Sequence, residues 1–239
     1  MKHYKTVSII IPVFNEERFI KQVVEEVIQA DTLGLKKEII VVNDGSQDRT
    51  GVILNKIRRK YSRLVVINHP TNLGKGAAVK SGLMRSGGDV VLIQDADLEY
   101  SPTDYPALLE PITDNRADVV YGSRFISDKP HRVLYFWHYQ VNKWLTTLSN
   151  VFTNLNLTDM ETGFKAFRGQ LVRDLAPSLK SQRFGFEPEI TAKLAKQKGL
   201  RIYEIGIAYS GRTYAEGKKI NWWDGVKAVG AVIRYNLFK

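Results

Sequence analysis

The chain has 239 residues, 44% of them apolar and 25% charged, enough to bury a full core as one large domain or two small ones. Its 35 Lys and Arg against 25 Asp and Glu leave a formal charge of +10, which favours anionic partners: nucleic acid, anionic lipid or phosphorylated small molecules. The lack of cysteine excludes disulfides and thiolate metal sites, the N-terminal apolar run is too short for a signal peptide, and no stretch reaches the ~20 apolar residues of a membrane span.

VSIII (7–11) reads as a strand, after which Phe19, Ile20, Val23, Val24, Val27 and Ile28 recur at helical spacing. EIIVV (38–42) is a second strand. NDGSQDRT then supplies a turn with Ser46 and Asp48 as helix caps, and Val52, Ile53, Ile57 and Tyr61 fit the helix that follows. LVVI (64–67) is a third strand and KGAAVKSGLMRS (75–86) a third helix. VVLIQ (90–94) and DVVYG (118–122) are further strands, with YPALLEPI (105–112) a short helix between them. Apolar strands separated by helices predict an α/β fold, a mostly parallel sheet flanked by helices on both faces. Beyond Arg124 the texture changes. Residues 133–157 are aromatic-rich, with Lys143 the only charged side chain. QLVRDLAPSL and FEPEITAKLAKQKG read as helices, RIYEIGIAY (201–209) as a strand, and NWWDGVKAVGAVIRYNLFK (221–239) as a basic amphipathic helix.

The stretch VVLIQDADLEY (90–100) ends an apolar strand with Asp95, Asp97 and Glu99 at alternate positions. In an extended segment these would face one point, and their repulsion calls for a hard divalent cation between them. Asp44 in VVNDGS and Glu16 in IIPVFNEE end two other strands. Ligands of an open parallel sheet bind in the crevice outside the carboxyl ends of its strands. NLGKGAAVKSG reads as a tight strand-to-helix turn. It lacks the G-K-[ST] of a P-loop, and Val79 stands where a dinucleotide fingerprint needs its third glycine.

In this order and spacing, IIPVFNEE, VVNDGSQDRT, NLGKGAAVKSG and QDADLEY resemble the family 2 glycosyltransferases of GT-A fold. GSRF (122–125), DMETGFKAFR (159–168) and RTYAEGKK (212–219) resemble the dolichyl- and polyprenyl-phosphate hexosyltransferases among them. The resemblance covers nearly the whole chain. It implies one Rossmann-like GT-A domain over 1–239, with 1–125 as the nucleotide-sugar half and 126–239 as the acceptor and membrane-facing half. It implies Mg2+ or Mn2+ held by Asp95 and Asp97, with Glu99 as third ligand, a position where relatives often carry an amide. Pro12, Phe14, Glu16, Val42, Asp44, Asp95, Ala96 and Asp97 match positions that bind the nucleotide sugar, Phe14 replacing a common tyrosine. Arg124, Arg212 and Lys218 match residues that contact donor and acceptor phosphates and, with Asp97, form the implied catalytic set. Asp159, Glu161 and Thr162 are acceptor-loop candidates.

The implied activity is metal-dependent, inverting transfer of mannose or glucose from GDP-mannose or UDP-glucose to a polyprenyl or dolichyl phosphate. A phosphomonoester with a second pKa of roughly 6 is already ionised and needs no general base. Asp159 or Glu161 would be the base if the acceptor were a sugar hydroxyl of a polysaccharide or glycolipid, the nearest alternative. A nucleotidyltransferase would release pyrophosphate instead, and a non-enzymatic nucleic-acid binder fits only the net charge. The expected place is cytoplasmic, peripherally attached to the cytoplasmic face of a membrane through residues 133–157 and the Trp222–Trp223 helix. A homo-oligomer or a membrane-protein partner is compatible with this, and no nucleic-acid partner is expected.

Overall fold

The structure, a computed structural model, describes residues 4–126, 131–133, 135–212 and 222–238, the last span without the side chains of 222–224 and 226. Seven strands form one sheet: β1 (Thr6–Val13), β2 (Lys36–Asn43), β3 (Leu64–Asn68), β4 (Val90–Ile93), β5 (Val119–Ser123), β6 (Lys165–Arg168) and β7 (Ile202–Gly206). Their order is β3-β2-β1-β4-β6-β5-β7. All neighbours are parallel except β6, which runs antiparallel to both β4 and β5. The α/β expectation therefore holds. Strand order reverses beside β1, the position at which an open sheet leaves a crevice.

The helices are α1 (Ile20–Gln29), α2 (Thr50–Lys60), α3 (Lys75–Arg85), α4 (Tyr105–Thr113), α5 (Phe136–Thr153), α6 (Gly169–Leu175), α7 (Phe186–Ala195) and α8 (Trp222–Leu237). Alternate residues of β1 serve opposite layers. Ile9 and Ile11 pack with Val23, Val24, Leu54 and Leu108 of α1, α2 and α4. Ile10 packs with Val79, Leu83, Leu145, Ile190 and Val232 of α3, α5, α7 and α8. Burial on both faces explains why the strands read as unbroken apolar runs. Among the described residues no helix is long and apolar enough to cross a membrane.

Three local expectations change. Strand β6, the KAFR of the DMETGFKAFR motif, was not anticipated, because four residues entering a sheet antiparallel carry no period of their own. Ser46 and Asp48 do not simply cap α2, whose N-cap position is Arg49 without a side-chain bond. They stitch two loops together: Asn15 N donates to Ser46 Oγ (3.0 Å), Glu17 N to Asp48 Oδ2 (3.1 Å), and Arg49 N back to Glu17 Oε2 (2.9 Å). Helix α7 stops at Ala195 and β7 at Gly206, earlier than the sequence pattern suggested.

Gly45, just after β2, has φ +70, and a Cβ there would lie within 2.7 Å of Asn72 N. Gly45→Ala must both occupy the left-handed region and push the β3–α3 loop away, for a loss of about 2 kcal/mol. Urea denaturation checks this, with the midpoint expected to fall at unchanged slope.

Candidate active site

Every parallel strand but β3 delivers a polar side chain to one edge. Glu16 follows β1, Asp44 follows β2, the acidic segment follows β4, Arg124 follows β5 and Arg212 follows β7. Antiparallel β6 completes the set, because it begins where its neighbours end: Lys165 pairs with Ile93 and with Tyr121. The residues before it, Asp159–Thr162, are thereby brought to the same edge.

Pro12 and Val42 are register partners and both are buried. Val42 packs with Ile40 and Ala78, so only its backbone faces the crevice. Asp44 is 2% exposed and is used for loop construction. Its carboxylate accepts from Leu73 N (3.0 Å), Gly74 N (2.7 Å) and His69 Nδ1 (2.7 Å). The glycine loop therefore folds onto Asp44. Phe14 is half-buried beside it, and Ala96 is buried in the core.

The segment 95–99 is not extended, so the three acids do not line one face as alternation implied. Leu98 takes φ 60, and the chain turns. Asp95 points to Lys75 at the start of α3, with Nζ 2.9 Å from Oδ1 and 3.0 Å from Oδ2. Lys75 also pairs with the buried Glu187 at 3.1 Å. Asp97 and Glu99 turn instead to Arg212, whose NH2 lies 3.0 Å from Asp97 Oδ2 and whose Nε lies 3.4 Å from Glu99 Oε1. Arg212 NH1 reaches Glu16 Oε2 at 3.4 Å. Glu99 further accepts from Arg212 N (3.0 Å) and Tyr209 Oη (2.6 Å). Burial, then the charges of Asp95 and Glu99, push the Asp97 carboxyl up to about 7, with Arg212 opposing. Lys218 lies outside the described residues.

Arg124 and Asp159 form a bidentate pair, Nε to Oδ2 at 2.6 Å and NH2 to Oδ1 at 2.7 Å, with Arg124 N adding a third bond at 3.1 Å. Asp159 is fully buried, with both carboxylate oxygens engaged by Arg124. The guanidinium stacks near Phe125 and Tyr209, 5.4 and 5.3 Å from their ring centres. Glu204 of β7 accepts from Thr158 N and Asp159 N, each at 3.0 Å, which fixes the turn. Thr162 is fully buried, and its hydroxyl accepts from Phe164 N. Glu161 alone of the three acceptor-loop candidates is partly exposed. One of its carboxyl oxygens is buried without a hydrogen-bond partner. Burial, then the nearby charge of Glu187, raises its carboxyl to about 8. Gly163 permits all this: a Cβ there would fall inside the Asp95 carboxylate and 2.9 Å from Lys75 Nζ.

The glycosyl transferase family 2 pattern matches residues 8–176. The chain belongs to glycosyltransferase family 2. This glycosyltransferase is 29% identical over 249 residues to a dolichyl-phosphate beta-glucosyltransferase of Trichomonas vaginalis, a match spanning 97% of this chain and 73% of that one. It is 26% identical over 238 residues to the UDP-N-acetylglucosamine–dolichyl-phosphate N-acetylglucosaminyltransferase of Methanococcus voltae, with 93% of each chain covered. Its backbone superposes on glucosyl-3-phosphoglycerate synthase of Mycobacterium tuberculosis in complex with Mn2+ and UDP-glucose with a TM-score of 0.74. That match has 18% identity and covers 98% of this chain and 80% of that one. At such identity the likeness is one of fold, and the fold is GT-A. The same neighbour has been crystallised with Mg2+ and UDP.

The residues of the glycosyltransferase suit a divalent ion in part. Asp95 and Asp97 supply hard oxygen donors, and burial followed by the charges of Asp95 and Glu99 raises the Asp97 carboxyl. Glu99 does not complete a triad, because Tyr209 and Arg212 engage its carboxylate. Among the described residues no three His, Cys, Asp or Glu side chains could hold an ion by themselves. Two carboxylates with substrate phosphates making up the rest is the usual provision for Mg2+.

Sequence reasoning missed Lys75 and Glu187, whose signal was the lysine directly after Gly74 at a helix start. It also missed Tyr209, which carried no signal beyond lying near Arg212.

Asp159→Ala leaves the Arg124 charge uncompensated in a buried position and should cost about 3–5 kcal/mol in chemical denaturation. Glu161 keeps its proton in the folded chain to about pH 8, whereas the unfolded chain releases it near 4.5. Its contribution to stability therefore falls as pH rises through that window. Glu161→Gln should gain thermal stability over the parent at the top of the window and little at its foot.

Proposed function

We propose that this glycosyltransferase moves a hexose, glucose or a derivative of it, from a UDP-sugar to a polyprenyl or dolichyl phosphate with inversion at the anomeric carbon. The names of its relatives support the acceptor class and, through the Methanococcus enzyme, the uridine donor. The observation that carries the reading is the state of the carboxyls near Arg124. Asp159 is fully engaged by that arginine and is not free to remove a hydroxyl proton. Glu161 has a buried carboxyl oxygen with no partner to orient it, whereas a general base must be held within reach of the proton it takes. A phosphate acceptor, already ionised, makes no such demand.

An oxygen of the acceptor phosphate attacks the anomeric carbon as the bond to the donor diphosphate breaks, and the electron pair leaves with the diphosphate. No proton need move. Asp95 and Asp97 would hold Mg2+ or Mn2+, which would supply positive charge to offset that of the leaving group. Arg124, Arg212 and Lys218 supply the remaining positive charge, Arg124 preset by Asp159 and Arg212 by Glu99. Pro12, Phe14, Glu16 and the backbone of Val42 and Ala96 would border the base and ribose. Asp44 acts indirectly by shaping the glycine loop.

Peripheral membrane contact fits the outer face of α5, where Phe136, Trp137 and Trp144 are 62%, 74% and 54% exposed. Aromatic side chains left uncovered on a helix suit the boundary between headgroups and acyl chains.

Radiolabelled UDP-glucose incubated with a polyprenyl phosphate should place label in the lipid fraction, and mild acid should release it. Label that survives acid would mean a hydroxyl acceptor and would overturn the reading. GDP-mannose should substitute poorly. Asp95→Asn should lower turnover by about 10²–10³-fold, the usual cost of removing one transition-state charge partner.

A further inference from the structure

Lys180, Lys193, Lys196, Arg234, Tyr235 and Phe238 line a cavity of about 240 Å³ between α7 and the C-terminal end of α8. It is separate from the carboxylate edge. Lys193 and Lys196 stand six and nine residues along α7 from Glu187, about 9 and 14 Å at the helical rise.

Its frame is fixed from below. Glu189 is fully buried and accepts from Lys180 N (2.8 Å), Ser181 N (2.6 Å) and Lys193 Nζ (2.7 Å). Lys193 Nζ also donates to Ser178 O. Lys196 Nζ donates to Tyr235 O at 2.7 Å, and Ser181 Oγ to Tyr235 Oη at 2.9 Å, which ties the loop and both helices together. Arg234 lies 5.7 Å from the Tyr235 ring centre. Glu189 balances Lys193 alone. None of the ion pairs among the described residues joins a carboxylate to Lys180, Lys196 or Arg234. Three like charges on exposed side chains around one cavity leave a local positive potential that solvent screens in part and that an anion would offset. Part of this charge complements the carbonyl end of α8. That accounts for Lys196, which bonds a carbonyl, and leaves Lys180 and Arg234 without a carboxylate partner among the ion pairs of the described residues.

We propose that this cavity binds a phosphate group, and that the phosphate is the headgroup of an anionic membrane lipid. Mixed hydrogen-bond donors of Lys and Arg around a small hollow suit a phosphate ester. The lipid source is favoured by the rim, where Ile233, Leu237 and Phe238 are exposed beside the cations, so that acyl chains and headgroup meet matching surfaces. The proposal rests on the membrane contact offered above but not on the transfer chemistry. Vesicle binding is read without donor or acceptor, so its failure would leave the transferase reading intact.

The test is flotation with vesicles of phosphatidylcholine alone and of phosphatidylcholine with phosphatidylglycerol. The parent chain should bind the anionic vesicles preferentially. Lys180→Glu with Arg234→Glu should weaken that binding at least about tenfold, given ~1 kcal/mol per basic residue at an anionic surface. Arg58→Glu with Arg59→Glu, on the last turn of α2, changes net charge equally and should leave binding within about twofold. Should the reversed pair unfold, Lys180→Gln with Arg234→Gln serves, with a smaller expected loss. Transfer to a detergent-dispersed acceptor should persist in each variant. Equal losses from the two pairs, or no preference for anionic vesicles, would overturn the proposal. Saturable binding of inorganic phosphate by a chain that ignores vesicles would overturn the lipid assignment.

Discussion

Five carboxylates crowd the carboxyl edge of the sheet, and two cations hold them there. Arg212 spans Glu16, Asp97 and Glu99, while Lys75 joins Asp95 to Glu187. Two like charges ~4 Å apart near a protein surface repel by about 4 kcal/mol, and each of these acids has a cation within 3.4 Å to offset such repulsion. The pairing has a functional side. On the reading proposed above, a divalent ion would take over part of the cations' task on the acids.

The supporting residues repeat that logic one layer out. Asp159 presets Arg124, Glu204 fixes the turn that carries Asp159, and Tyr209 orients Glu99. Electrostatic catalysis depends on groups oriented before the reaction begins, and nearly every charged group here has its direction set by a second one. Glu161 is the exception, with an oxygen left unpartnered in a buried position. A neutral carboxyl there is compatible with an anionic acceptor close by, whereas a carboxylate would repel it.

Much of this was legible beforehand. Long apolar runs with helical spacing between them identified the strands β1 to β5, because burial on both faces leaves few polar interruptions. Acids at successive strand ends pointed to the carboxyl edge of the sheet, where the structure gathers Glu16, Asp95, Asp97 and Glu99. What failed was anything that depends on partners distant in sequence. The pairing of Arg124 with Asp159 and of Lys75 with Asp95 joins residues 35 and 20 positions apart, and no local pattern announces either. Strand β6 was hidden for the same reason: its place is set by the gap between β4 and β5. The alternation of Asp95, Asp97 and Glu99 was read as extended, but the positive φ at Leu98 sends the first acid one way and the others another.

The account stands or falls on whether Asp95 and Asp97 together take up a divalent ion in the company of a nucleoside diphosphate. Electron paramagnetic resonance of Mn2+ titrated into the protein with UDP measures this without any turnover. One ion per chain should disappear from the free signal in the parent protein, and Asp95→Asn with Asp97→Asn should abolish that uptake. Equal uptake by the two proteins would contradict the assignment.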